Sequence, residues 1–347
     1  MNSIFNYTID ELGKYFESIG DKKFRATQIF EWLYRFRVNS FSELTNLPKK
    51  ALINLEENFV IDKLNIVRLQ KSADGTRKYI FELSDGKLVE TVLKRHHYGN
   101  SICVSTQVGC NMGCAFCASG ELGKVRNLEL SEIVLQVLIV QKDLDEENER
   151  ISNIVVMGTG EPFDNYDNLL RFLSVVNYPK GLEIGARHIT VSTCGIVPKI
   201  KEFARFPLQI NLAISLHASN DEVRSQIMKI NRKYKINDIM EAIKEYLSLT
   251  NRRVTFEYIL IKDVNDSLTH AEELAKLLKD TLCYVNLIPY NEVITKPFKQ
   301  TSHEHAEKFF SVLRRKGINA TLRMEHGADI DAACGQLRAK VIKENKE

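Results

Sequence analysis

The apolar and polar positions divide the chain into two kinds of pattern. Thr8-Ile9-Asp10-Glu11 has the spacing of a capping box and predicts a short helix that stops near Gly20. From Phe24 to Phe36 the apolar residues Ile29, Phe30, Leu33 and Tyr34 recur at helical spacing, and a third helix is expected after Pro48. Between Ile66 and Val92 the pattern turns strand-like, with Asp74-Gly75 and Asp85-Gly86 as hairpin turns. A small helical unit followed by an antiparallel meander is the expectation.

From about Ser101 onward, short β-branched runs alternate with helical stretches. The expected strands are Ile102–Thr106, Ile154–Met157, Ile189–Ser192, Ile210–Ser215, Val254–Leu260 and Tyr284–Ile288. Helical patterns lie between them, for example Asn165–Val176, Ile236–Leu249 and Leu268–Lys279. Such alternation implies right-handed βαβ crossovers and a parallel sheet. Periodicity does not choose between a partial barrel and an open sheet. The acidic stretch Asp143–Glu149 reads as a helix end and loop. The change of pattern sets an accessory domain over residues 1–98 and a catalytic domain over 99–347.

Composition narrows the class. The 347 residues are 44% hydrophobic and 27% charged, as in ordinary globular proteins. A net charge of +3 permits a nucleic-acid partner without demanding one. Lys94-Arg95-His96-His97 and Arg314-Arg315-Lys316 read as solvated faces. No apolar run approaches the roughly 20 residues that span a bilayer. The N-terminus lacks the basic-then-apolar pattern of a secretory signal, so no membrane association and a cytoplasmic location are expected. Seven cysteines, three of them within eight residues, point to metal or redox chemistry rather than a disulfide framework.

That cluster is Cys110-Asn-Met-Gly-Cys114-Ala-Phe-Cys117, spaced C-x3-C-x2-C. Three thiolates on one loop suit three irons of a cubane and leave the fourth iron open to the amino and carboxylate groups of a methionine-like cofactor. Zinc is the competing metal, but a structural zinc site wants four ligands and no second pair is supplied. Other candidates follow successive strands, where parallel α/β architectures gather their working groups. They are Gly158-Thr159-Gly160-Glu161-Pro162, whose glycines would let a cofactor approach the backbone, then Ser192, Ser215-Leu216-His217, and Asn291.

Several longer stretches carry a resemblance. They are Cys103-Val-Ser-Thr-Gln-Val-Gly-Cys110, Met157-Gly-Thr-Gly-Glu-Pro162, Arg187-His-Ile-Thr-Val-Ser-Thr193 and Asp329-Ile-Asp-Ala-Ala-Cys-Gly-Gln-Leu337. Over nearly its whole length the chain resembles the radical S-adenosylmethionine RNA methyltransferases that act on adenine carbons. The resemblance implies a partial (β/α)6 radical SAM barrel in which Cys110, Cys114 and Cys117 hold a 4Fe–4S cluster. Gly160, Glu161, Ser192, Ser215, Leu216, His217 and Asn291 would contact S-adenosylmethionine, two molecules of which serve each turnover. Cys334 would be the methyl carrier, Cys103 its redox partner and Glu90 the proton acceptor, with the N-terminal unit helping to bind folded RNA. Pattern alone reads Cys334 and Cys103 as packed thiols and Glu90 as a surface residue of the meander. Cys194 and Cys283 are expected to be packing residues.

Chemistry explains the division of labour that the resemblance implies. Adenine ring carbons are poor nucleophiles, whereas a thiolate attacks a sulfonium methyl readily. Cys334 would take a methyl group from one cofactor molecule, and a radical derived from the second would activate it for addition to the ring. Loss of a ring proton to Glu90 and attack by Cys103 on the Cys334 sulfur would release product and leave a disulfide. The implied substrates are 23S rRNA in the peptidyl-transferase region and the adenine beside the anticodon in tRNA, modified at carbon 2. A reductant such as flavodoxin and a monomeric enzyme complete the expectation. Two other readings stand beside it. One is the related carbon-8 methyltransferase of antibiotic resistance, whose motif usually reads Gly-Glu-Ala where this chain has Gly160-Glu161-Pro162. The other is a non-catalytic, zinc-stabilised RNA-binding protein, which would be colourless where a cluster protein is brown.

Overall fold

The structure is a computed structural model that describes residues 1–120, 123–293, 295–323, 327, 329 and 330. Its N-terminal unit carries α1 (Ile9–Ser18), α2 (Phe24–Phe30) and α3 (Lys49–Asn58). The capping box forms as the sequence predicts: Thr8 accepts from the Glu11 amide and Glu11 accepts from the Thr8 amide. The expected helix Phe24–Phe36 departs from one register, since a π-helical turn over Glu31–Phe36 completes it before Arg37 takes a left-handed φ of 55°. This unit is not a separate body. Its Ile29, Phe30 and Tyr34 belong to the same continuous core as the barrel residues, and Arg171 donates to Glu11 at 2.8 Å.

The meander supplies β1 (Asn65–Lys71), β2 (Arg77–Glu82) and β3 (Leu88–His96). The βα units follow as β4 (Gly99–Cys103), α4 (Leu130–Asp145), β5 (Ile151–Val156), α5 (Tyr166–Asn177), β6 (Ile189–Thr193), α6 (Val197–Phe203) and β7 (Asn211–Ser215). Then come α7 (Asp221–Ile227), α8 (Ile236–Thr250), β8 (Val254–Leu260), α9 (Leu268–Leu278), β9 (Cys283–Pro289), α10 (His303–Arg315) and β10 (Ala320–Leu322). These ten strands form one sheet in sequential order, antiparallel from β1 to β4 and parallel from β4 to β10, beside two short two-stranded pairings. Six βα units are thus present as expected, with β10 as an additional strand at one edge. The sheet also runs unbroken across the boundary drawn at residue 98, where β3 and β4 pair from Val92↔Cys103 to His96↔Gly99. The meander is the first wall of the barrel, because the parallel arc leaves β4 an edge that a neighbouring hairpin can satisfy.

Alternation along the strands separates two faces. On β8, Phe256, Tyr258 and Leu260 face the helices, where the Tyr258 and Phe309 rings lie 5.3 Å apart. Thr255, Glu257 and Ile259 face the concave side, which we call the lumen. Cross-strand pairing places Ser215, Glu257, Asn286 and Thr321 in one polar row of that side. A polar row inside a parallel sheet marks where a ligand, not a hydrophobic core, is meant to sit.

Candidate active site

Cys110, Cys114 and Cys117 are all half-buried on the loop that leaves β4. The Ala115 amide donates to the Ile227 carbonyl at 2.8 Å, which ties the loop to the end of α7. Gly109 is required here: it has a φ of 80°, and a Cβ on it would lie 1.7 Å from the Gly123 carbonyl oxygen. Met112, Cys114 and Phe116 pack against Cys194, Ile227 and Met228, so the loop rests on a dry apolar patch. Burial pushes the Cys110 thiol up to about 11, and nearby thiolate charges and Glu161 push the same way. Burial raises Cys114 as well, with Cys117 and Cys110 adding to it, while Arg224 opposes. Thiols that repel one another's ionisation suit a cationic metal–sulfur core, which would deprotonate them together. Among the described residues no three His, Cys, Asp or Glu side chains converge on a single metal ion. A cubane makes no such demand, because it takes one thiolate per iron. Three thiols on one loop fit a cubane that takes one thiolate per iron, whereas a structural zinc site wants a fourth ligand that this loop does not supply.

The neighbouring strand ends meet this loop. Gly158 and Gly160 follow β5, but the space beside them belongs to the protein: an added Cβ would lie 2.7 Å from the Val104 backbone or from Gln107. These glycines let two loops close on each other. The Glu161 carboxylate accepts from the amides of Phe163 (3.0 Å) and Cys194 (2.8 Å). Burial raises its pKa, and those amides pull it back. Ser192 and Ser215 sit with their hydroxyl oxygens 3.2 Å apart, and Leu216 is buried beside them. His217 adopts a left-handed φ of 58°; its Nδ1 accepts from the Ile259 amide at 3.1 Å, and its ring meets Phe116 edge-on at 5.1 Å. Asn291 lies exposed just past β9. The structure thus brings the triad loop, Glu161, Ser192, Ser215, Leu216 and His217 to one rim, with Asn291 at its outer edge.

Sequence reasoning missed the residues that fasten this rim. Arg224 is fully buried and donates to the carbonyls of Leu216 (3.0 Å) and Cys194 (2.6 Å) and to Asn231 Oδ1 (2.9 Å). Glu257 is also buried, held through one oxygen by Asn286 at 2.9 Å and facing Arg323 through the other at 3.8 Å. Neither announces itself in sequence, because the charged residues of exposed helices and strands look the same.

Across the lumen, β2 to β4 present Lys78, Glu90, Val92, Lys94 and Cys103 on one face. Glu90 is not a surface residue: it is 2% exposed, and Lys78 Nζ lies 3.3 Å from its carboxylate. Lys94, expected on a solvated face, is half-buried there, and burial lowers its pKa. Burial pushes the Cys103 thiol up, with Lys94 pulling it back. Cys194 and Cys283 are buried packing residues, as expected. Cys334 lies outside the described residues. The segment before it is anchored to the first hairpin turn: Gly327 donates to Asp74 at 2.9 Å, and Asp329 accepts from Ser72 and from the Ala73 amide.

Comparison with known proteins decides what this arrangement belongs to. The profile of the Radical SAM superfamily matches residues 104–278, and that of the ribosomal RNA large subunit methyltransferase N-terminal domain matches residues 2–61. A probable dual-specificity RNA methyltransferase RlmN from Streptococcus suis is 57% identical over 99% of this chain and 95% of its own length. The chain belongs to the RlmN family of radical SAM enzymes. An RlmN relative from Geobacillus kaustophilus is likewise 57% identical, over 99% of this chain and 94% of its own length. The crystal structure of a radical SAM methyltransferase from Sphaerobacter thermophilus superposes with a TM-score of 0.92 at 44% identity, covering 97% of this chain and 99% of that one. As a radical SAM enzyme of the RlmN family, this chain takes a 4Fe–4S cluster and S-adenosylmethionine. Among the described residues no helix is long and apolar enough to cross a membrane.

Proposed function

We propose that the enzyme methylates carbon 2 of an adenine in 23S rRNA and of the adenine beside the anticodon in tRNA, in the cytoplasm and as a monomer. A low-potential reductant such as flavodoxin serves it. The observation that carries the reading is the opposition of a thiol-bearing wall, with Cys103 and Glu90 on one lumen face, to a rim that holds a cysteine triad. Gly160-Glu161-Pro162 in place of Gly-Glu-Ala favours carbon 2 over carbon 8.

Cys110, Cys114 and Cys117 would hold the cluster. Gly160, Glu161, Ser192, Ser215, Leu216, His217 and Asn291 would hold S-adenosylmethionine. When bound, these groups supply the methyl group and the radical that activates it. The rest of the work falls to the chain. The Cys334 thiolate accepts the methyl group and carries it to the ring carbon. Glu90 then takes the proton from that carbon at its carboxylate, the C–H electron pair returns to the ring, and the odd electron left by radical addition passes to a one-electron acceptor, a role the oxidised cluster would supply. The Cys103 thiolate attacks the Cys334 sulfur: an S–S bond forms, the S–CH2 bond breaks, and the carbon keeps the electron pair and gains a proton. The apolar floor under the triad keeps water from these reactive species. The target base must leave its stack to reach the lumen, which favours recognition of RNA by shape and backbone over duplex readout.

Mass spectrometry of rRNA and tRNA nucleosides from cells with and without the enzyme tests the reading. Loss of 2-methyladenosine on deletion is expected; loss of 8-methyladenosine instead, or no change, would refute it. The variant Cys103→Ala is expected to accumulate a covalent protein–RNA adduct, visible as a band shifted by the mass of the RNA on denaturing gels.

A further inference from the structure

We infer that Lys78 is the positioning residue for proton removal, holding the Glu90 carboxylate in the lumen wall as the acceptor. The inference rests on Glu90 being that acceptor. Lys78 and Glu90 are 0% and 2% exposed, and Nζ lies 3.3 Å from the carboxylate oxygen. They stand on adjacent antiparallel strands of one wall, in a register that sets Lys78 opposite Val92 and Ile80 opposite Glu90. Val92 in turn pairs with Cys103. Lys78, Val92 and Cys103 therefore form one row across three strands, and Glu90 is one step along the same face. The ammonium, the carboxylate and the thiol line a single surface.

Stability does not explain the pair. Drawing two charges out of water costs several kcal/mol per ion, and well-packed apolar residues of similar volume often do as well or better. The surrounding positions, Ile80 and Val92, show that this wall accepts apolar side chains. A compact ammonium with three donors is suited to fixing a carboxylate in one orientation on the wall. When Glu90 accepts that proton, the pair passes from net neutral to a charge of plus one.

The test is a single turnover of anaerobically reconstituted holoenzyme, methylated on Cys334, with an RNA hairpin protiated or deuterated at the target carbon. In K78M, methylation of Cys334 serves as the internal control. Product formation is expected to slow at least about tenfold, the deuterium isotope effect on product formation to rise, and adduct to accumulate. K78R, which restores the charge, is expected to recover rate and lower the isotope effect. A K78M enzyme with wild-type rate and isotope effect overturns the inference. If K78M does not retain its cluster, K78Q decides by the same measurement: a raised isotope effect supports the inference, and a wild-type one overturns it. E90Q separates the two readings. A silent E90Q refutes Glu90 as acceptor, whereas an impaired E90Q beside a silent K78M refutes only the role of Lys78.

Discussion

At the scale of residues, His217 shows how a site can fix one protonation state. Burial and the nearby Arg224 guanidinium push its pKa down to about 3, and its Nδ1 accepts a backbone amide, which a protonated ring could not do. The folded chain therefore binds fewer protons at His217 than the unfolded chain, where the ring titrates near 6.5. Stability from this residue is fully present above that value and is lost as pH falls toward 3. Chemical denaturation of H217N is expected to show a smaller loss of stability between pH 7 and pH 5 than the parent protein. Arg224 answers to a different logic. R224M would strand at least two buried carbonyls and an amide oxygen, so a loss on the order of 3 kcal/mol in urea unfolding is expected. Sequence marked His217 as a candidate but not its protonation state, and did not mark Arg224 at all. The triad and the capping box could be read there, because they are local patterns. Lys78 and Glu257 gain meaning only when strand register decides which side of the sheet each one faces, and Arg224 only when the turn of its helix aims it at the strand ends.

At the scale of elements, the contacts between loops carry the site. The close approach of the loops after β4 and β5 depends on Gly158, whose added Cβ would meet the Val104 carbonyl group at 2.7 Å. G158A is expected to separate these loops and lower iron and sulfide content per chain after reconstitution, while far-ultraviolet circular dichroism stays close to the parent. The first hairpin turn has a second duty in holding Gly327 and Asp329. Its carboxylate, Asp74, is held well below the usual carboxylate range by backbone amides of Thr76 and Gly327, which outweigh its slight burial. D74A is expected to keep a full cluster yet form product on the order of tenfold more slowly. Hairpin turns at Asp74-Gly75 and Asp85-Gly86 were legible from sequence, as were the six parallel strands. The use of a turn as an anchor was not, since its partner lies more than 250 positions away.

At the scale of the whole molecule, one sheet and one continuous core join regions whose sequence patterns look separable. The change from helical and meander patterns to βα alternation is real, but β3 and β4 hydrogen-bond across it and N-terminal apolar residues enter the barrel core. A fragment beginning at Gly99 would expose an unpaired β4 edge and lack the wall bearing Lys78 and Glu90. Such a fragment is expected to aggregate on expression rather than bind cluster, as size-exclusion chromatography would reveal. The intact apoprotein is expected to unfold in a single transition in which tyrosine fluorescence and circular dichroism coincide.

The anchorage of Asp329 also sets a radius. Cys334 lies five positions further on, so the covalent chain keeps it within about 18 Å of that anchor in any conformation. In the proposed mechanism, a carrier sulfur on so short a tether is never diluted into the solvent between donor and acceptor. Lengthening the tether by a few glycines is expected to slow product formation if Cys334 is the proposed carrier, because only its reach would change.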